Sequence, residues 1–222
     1  LGEFDQLPRQ HNLNNNISAL FWNQITMNKI FTCRLMPDLP APPQNLIDLV
    51  DFGFRPESNN TSTMGTRQLN DWKGYNGPAL RNMRRIEEPF QSAFDVWIKE
   101  NITKNYQNSS IMYCHGGNFA AGATSTGAHT DFTRDYVLMY NLDTGGEKAE
   151  LVFWKEKGQE LIRPRATQCG DYQSLEIVEN VPGPANVWYL TNTRVLHSTE
   201  NVTGVRLNLQ ISFDTEIPQE LL

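Results

Sequence analysis

The pattern of apolar and polar positions changes character once along the chain. Up to about residue 109 it is uneven, with polar stretches such as HNLNNNIS and the proline punctuation PDLPAPPQ around one expected strand, NKIFTCRLM. Two segments there carry a helical period. PAPPQNLIDLVDFGF opens on prolines, which suit a first helical turn, and sets Leu46, Ile47 and Val50 on one side. EEPFQSAFDVWIKENI repeats the device: Pro89 opens it, and Phe90, Ala93, Phe94, Trp97 and Ile98 form a stripe that needs a sheet to lie on. Between the two, RPESNNTSTMGTRQLNDWKGYNGPAL reads as a loop of a length that is more often functional or mobile than inert.

From about residue 110 the period shortens to two. SIMYCH, the stretch from Gly127 to Leu142, AELVFWKE, SLEIVE, ANVWYL, RVLHS and VRLNLQISF read as β segments, separated by turn signals such as DTGG, VPGPAN and NVTG. Helices first and strands afterwards, without a βαβ rhythm, predict a mainly β, α+β protein with helices packed on the sheet. The last segment alternates Arg206, Asn208, Gln210 and Ser212 with Leu207, Leu209, Ile211 and Phe213. Either its apolar face packs on helices while the polar face lines a barrel lumen, or it is an ordinary half-exposed strand; the alternation alone admits both.

A length of 222 residues suits one domain over 1–222, with 1–109 supplying helices and loops, 110–213 the β core and 214–222 a tail. Nineteen Lys and Arg against 25 Asp and Glu leave a net charge of −6, a field that does not invite phosphate backbones, so no nucleic-acid partner is expected. Cys33, Cys114 and Cys169 are far apart and odd in number, which fits neither a disulfide framework nor a zinc knuckle and favours a reducing compartment. No apolar run approaches the roughly 20 residues of a bilayer span, and LGEFDQLPRQ lacks the apolar segment of a signal peptide. The expectation is a cytoplasmic protein with no membrane partner. The oligomeric state leaves no trace in the pattern.

The candidate chemistry begins in GAHTDFTRDYVLMYNLDTGG, residues 127–146. On a strand, His129 and Asp131 point the same way, since side chains alternate faces with a period of two. His197 follows in a β run sixty-six residues after Asp131. Two imidazoles and one carboxylate make a facial triad that leaves three adjacent positions of an octahedral metal open. Nine residues beyond His197 comes Arg206, whose rigid fork of donors suits a carboxylate. The bland reading makes the two histidines ordinary strand residues bonded to backbone and Arg206 a surface ion-pair former. Arg134, three residues past Asp131, either holds a substrate carboxylate or pairs with Asp135 or another acid. His115 in CHGGNF fits a structural role, and the arginines of RNMRRIEE fit a solvated face near a helix start.

In this combination of HxD, a distal His and an Arg one strand later, the chain resembles the Fe(II)- and 2-oxoglutarate-dependent dioxygenases. The resemblance spans about residues 110–213: YVLMYNLDTGGEKAELVFWKE looks like the strand, glycine turn and strand after the family's HxD, and ANVWYLTNTRVLHSTENVTGVRLNLQISF like its closing strands. It implies a double-stranded β-helix, a jelly-roll or cupin-like core with N-terminal helices. It also implies that His129, Asp131 and His197 hold Fe(II), that Arg206 binds the distal carboxylate of 2-oxoglutarate, and that O2 is the second co-substrate. Asn208 stands where the family often has Ser, and an amide can still donate to a carboxylate. Tyr113 lies in the region from which related enzymes supply a tyrosine or asparagine to the co-substrate. The activity so implied is hydroxylation of a C–H bond in an amino acid or peptide, with release of succinate and CO2. Two other uses of the same residues are a zinc-dependent hydrolase and a non-catalytic, cupin-like module for a small ligand.

Overall fold

The computed structural model describes residues 31–53, 82–84, 90–115, 125–169, 171–183 and 185–222. The chain divides into two units, Leu1–Phe31 and Thr32–Leu222, and the described residues from Thr32 onward belong to the second. The loop expected over 55–80, with Trp72 and Tyr75, lies outside the described residues, as do Pro89 and most of the strand expected before Cys33.

Eleven strands among the described residues form two antiparallel sheets. Sheet A has the order β1 (Cys33–Met36), β9 (Trp188–Asn192), β5 (Tyr136–Thr144), β11 (Val205–Phe213), β3 (Asn108–His115), β2 (Asn82–Arg84); sheet B has β7 (Gln168–Cys169), β4 (Ala128–His129), β10 (Leu196–Glu200), β6 (Glu150–Glu156), β8 (Leu175–Pro182). From β3 to β6 consecutive strands change sheet at each step, β7 and β8 stay in sheet B with β8 returning antiparallel to β6, and β9, β10 and β11 alternate again. The first core strand thereby pairs with the last, β3 with β11. This is jelly-roll winding.

Two helices are described. α1 (Gln44–Gly53) starts where the Pro43 carbonyl accepts from the Leu46 and Ile47 amides, at 2.9 and 3.1 Å. α2 (Phe90–Asn101) buries Phe94 and Ile98 completely and leaves Val96 exposed. The expected stripe finds its sheet, since Trp97 stacks on Phe94 and on Trp188 of β9, with ring centroids 6.2 and 6.3 Å apart. Trp188 in turn meets Tyr140 of β5. Burying one such aromatic side chain is worth about 2 kcal/mol, so this layer anchors the helix side of sheet A.

The register then fixes what faces inward. Tyr140 is opposite both Trp188 and Leu209, so Leu209 shares the helix-side face and its neighbours in β11 alternate to the other side. Val137, Met139 and Tyr189 of sheet A pack against Leu151 and Phe153 of sheet B, which closes the sandwich. Gln210 and Ser212 are paired with Met139 and Val137, so the polar face of β11 points between the sheets. Arg206, Asn208, Gln210 and Ser212 are all at most 2% exposed, which removes the half-exposed reading of that strand.

Three details depart from the sequence expectation. The stretch from Gly127 to Leu142 is two strands in different sheets, broken over 130–135, because Asp131, Asp135 and Thr193 bond backbone to backbone there. RNMRRIEE contributes the short strand β2, whose ladder with β3 no local pattern announces. β7 has two residues, too few for any period.

Candidate metal centre and anion site

His129 ends β4, and its Cα is paired directly with that of His197 in β10. The two rings lie 4.7 Å apart, both between the sheets, with Phe153 beside His197. Thr130 points the other way and is pinned there: its hydroxyl donates to the Pro164 carbonyl and accepts from the Thr167 amide. Asp131 follows just past the strand end, its amide bonded to the Thr193 carbonyl. The alternation that the HxD spacing implies thus persists one residue beyond the ladder.

The three side chains converge. Asp131 Oδ1 is 3.7 Å from Nε2 of His129 and 3.7 Å from Nε2 of His197, and the three candidate ligand atoms lie within 4.8 Å of one another. Each histidine has its Nδ1 on the carbonyl two residues earlier, Gly127 at 2.8 Å and Val195 at 3.0 Å. A carbonyl only accepts, so each Nδ1 carries the proton and each Nε2 offers its lone pair to the centre, the tautomer a metal requires. The other carboxylate oxygen, Oδ2, accepts from Arg134 Nε. Burial by itself would raise the Asp131 pKa, but the charge of Arg134, joined in acid by the then protonated His197 and His129, outweighs it and holds the carboxyl at about 2. Of the fates open to Arg134 the geometry has the ion pair, with Asp131 and not Asp135. Asp135 is already taken by Arg165 at 2.7 Å and Arg194 at 3.2 Å.

In the same interior, but on sheet A, Arg206 is 1% exposed. Its Nη2 donates to the Tyr189 hydroxyl at 3.1 Å and its Nη1 to the Thr144 carbonyl at 3.3 Å, while Tyr189 donates onward to Asn141 at 3.0 Å. No carboxylate pairs with it among the described residues, and its Nε has no partner. Asn208, two residues on, also has its Nδ2 buried without a partner. A guanidinium taken out of water without a counter-charge is costly, so a fold that keeps one has a place for an anion. One glycine lets the backbone close over it: a Cβ on Gly145 would sit 2.9 Å from Arg206 Cβ.

The residues fit the groups that the sequence resemblance implies. Two neutral imidazole nitrogens and one carboxylate oxygen, all on one side of a shared centre, suit Fe(II) with open positions. The unmatched donors of Arg206 and Asn208 suit a carboxylate. Asn208, Arg206 and the triad are brought into one interior. Tyr113 is placed in the β3–β11 ladder opposite Leu207, and its side chain lies outside what is described, as do those of Cys114 and His115. Tyr189, Asn141 and Gln210 belong to the site as well. Only Gln210 had a sequence signal, its place on the polar face of β11.

Fold and site together define a jelly roll with a His–Asp–His cluster that could hold a metal ion and, between the same sheets, a buried arginine with no acid partner among the described residues, the arrangement that the resemblance to the HxD…H…R oxygenases implies. No family model matches the chain, and no curated protein matches it. Among solved structures it is similar to a Pseudomonas putida prolyl-4-hydroxylase (13% identity, 89% of this chain and 98% of that one, TM-score 0.44). It is similar also to HygX from Streptomyces hygroscopicus, solved with nickel and 2-oxoglutarate bound (9%, 85% of each chain, 0.42). A third is a Trichoplax adhaerens prolyl hydroxylase in complex with a hypoxia-inducible-factor peptide fragment (13%, 90% of each, 0.42). These likenesses are too shallow to carry an activity across. What the chain does has to be argued from its own side chains.

Proposed function

We propose that the protein is an Fe(II)- and 2-oxoglutarate-dependent oxygenase that hydroxylates a C–H bond of an amino acid or of a residue in a peptide. The observation that carries the reading is the pairing of two incomplete sites in one interior. One is a triad whose Nε2 and Oδ1 atoms converge; the other is a buried guanidinium with no acid among the described residues. Either site alone admits a zinc hydrolase or a small-ligand binder. Together they call for a metal and a carboxylate held side by side, which 2-oxoglutarate satisfies.

When bound, Fe(II) with 2-oxoglutarate and O2 supplies the oxidation, releasing succinate and CO2. The protein's share is coordination, orientation and exclusion of water. His129 and His197 are held in the ligating tautomer by backbone carbonyls, and Asp131 offers one oxygen because Arg134 occupies the other. Arg206 and Asn208 bind the distal carboxylate, with Tyr189 and Asn141 fixing the guanidinium. Phe153 and Val195 supply dry interior surface close to His197. The proposal keeps 1–222 as one oxygenase domain with 110–213 as its core, and a small molecule or peptide as substrate. No described helix is long and apolar enough to cross a membrane.

The test is metal analysis of the purified protein combined with a succinate-release screen against amino acids, short peptides and small acids, with products read by mass. Iron-dependent succinate and a product heavier by one oxygen support the proposal. Zinc with hydrolysis and no succinate supports the hydrolase, and ligand binding with neither supports the binder.

A further inference from the structure

Asp131 and Asn208 are joined by one hydrogen-bonded relay, in which Arg206 has no part, and its direction is set by chemistry. Arg134 gives Nε to Asp131 Oδ2 and Nη1 to two acceptors on β11, Gln210 Oε1 at 2.8 Å and Ser212 Oγ at 2.9 Å. A guanidinium has donors only, so Gln210 must turn its carbonyl oxygen toward Arg134 and its amide nitrogen away. That nitrogen donates to Asn208 Oδ1 at 2.9 Å. Asn208 must therefore present its NH2 group to the remaining direction, and that Nδ2 is buried with no partner among the described residues. Every member of the relay is buried or nearly so: Asn208 and Gln210 are 0% exposed, Ser212 2%, and the Arg134 side chain 12%.

We infer that Arg134 is a positioning residue for both halves of the site, fixing Asp131 with a single oxygen toward the metal and, through Gln210, orienting Asn208 as a donor toward the co-substrate carboxylate. The inference rests on the oxygenase reading for what the two halves hold. It adds that the amide direction at Asn208 is dictated from Asp131's partner, two side chains away. Without Arg134, Gln210 is free to turn over. Asn208 then turns with it and points its carbonyl oxygen at an anion, which converts an attraction into a repulsion.

The decisive variant is Gln210→Glu, nearly the same shape. A carboxylate at 210 still accepts from Arg134, so the hold on Asp131 stays, but it can no longer donate to Asn208. Asn208 must then donate to it and turn its oxygen toward the ligand. Anaerobic titrations with Co(II) alone and then with 2-oxoglutarate on the Co(II)-loaded protein read the two halves separately. Gln210→Glu is expected to keep Co(II) affinity within about threefold and to weaken 2-oxoglutarate by roughly ten- to a hundredfold, the scale of one mismatched buried polar group. Arg134→Lys, a single point donor in place of a fork, is expected to weaken both, Co(II) by roughly tenfold or more.

The added negative charge could by itself repel the co-substrate, and the double-mutant cycle separates the two causes. In an Asn208→Ala background, Gln210→Glu should cost 2-oxoglutarate less than about threefold, because there is no amide left to reverse. An unreduced penalty in that background would show plain charge repulsion and overturn the relay. So would Arg134→Lys leaving both affinities unchanged. Wild-type protein that binds neither Co(II) nor 2-oxoglutarate would instead remove the oxygenase reading itself.

Discussion

Two arginines lie inside the same sandwich, and they are neutralised in opposite ways. Arg134 has its counter-charge built in: Asp131 sits on its Nε, and Gln210 and Ser212 take its Nη1. Arg206, more deeply buried, touches a phenol and a carbonyl but no acid among the described residues, and its Nε has no partner. The first arrangement is complete as folded, so its guanidinium is part of the scaffold. The second has no counter-charge among the described residues, and in the proposed function its guanidinium is the part of the site that an anion completes. The difference separates structural from functional charge without reference to any relative.

The largest effect should come from the triad that the first arginine supports. Asp131→Ala or His197→Ala removes one of three donors and is expected to abolish stoichiometric iron binding, read by metal analysis after gel filtration. Next come the arginines themselves, where the contrast predicts opposite signs. Arg206→Met should lower 2-oxoglutarate affinity by more than about a hundredfold, yet leave the ligand-free protein as stable or more so, since an apolar side chain replaces an uncompensated buried charge. Arg134→Met breaks a buried pair and should cost about 3 kcal/mol in denaturant unfolding. Equal destabilisation by both would break the comparison.

A smaller effect is the acid limb. Because the folded Asp131 carboxyl is held at about 2, below its ordinary 3.8, its contribution is fully present above about pH 4 and is lost as the pH falls through about 2. The loss amounts to about 2 kcal/mol in the metal-free protein. Stability measured down this range should fall in the wild type, and Asp131→Asn should remove that part of the fall. Smallest is Gly145→Ala. With φ at +88° and a Cβ that would meet Val202 at 2.8 Å and Arg206 at 2.9 Å, it should cost about 1 to 2 kcal/mol and weaken co-substrate binding by displacing Arg206.

The sequence made the triad and Arg206 visible because each is announced by a spacing along strands, and strand alternation is a local rule. The same rule predicted the polar face of β11, though not which way it would point. What decided that was the stack of Trp97 on Trp188, a contact between residues some ninety positions apart. Arg134 shows the limit of local reasoning. Its neighbour Asp135 was the natural partner by sequence, but Arg165 and Arg194 arrive from distant loops and take it. Tyr189 and Asn141 were equally out of reach, since nothing in ANVWYL or YNLD says that β5 lies beside β11 with β9 next in the sheet.

The most direct measurement is the visible spectrum of anaerobic protein mixed with Fe(II) and 2-oxoglutarate. A metal-to-ligand charge-transfer band that needs both additions is the expected result, absent in Asp131→Ala and strongly weakened in Arg206→Met. A band that survives the loss of both Asp131 and His197, or no band from wild-type protein that has bound iron and 2-oxoglutarate, would contradict the account.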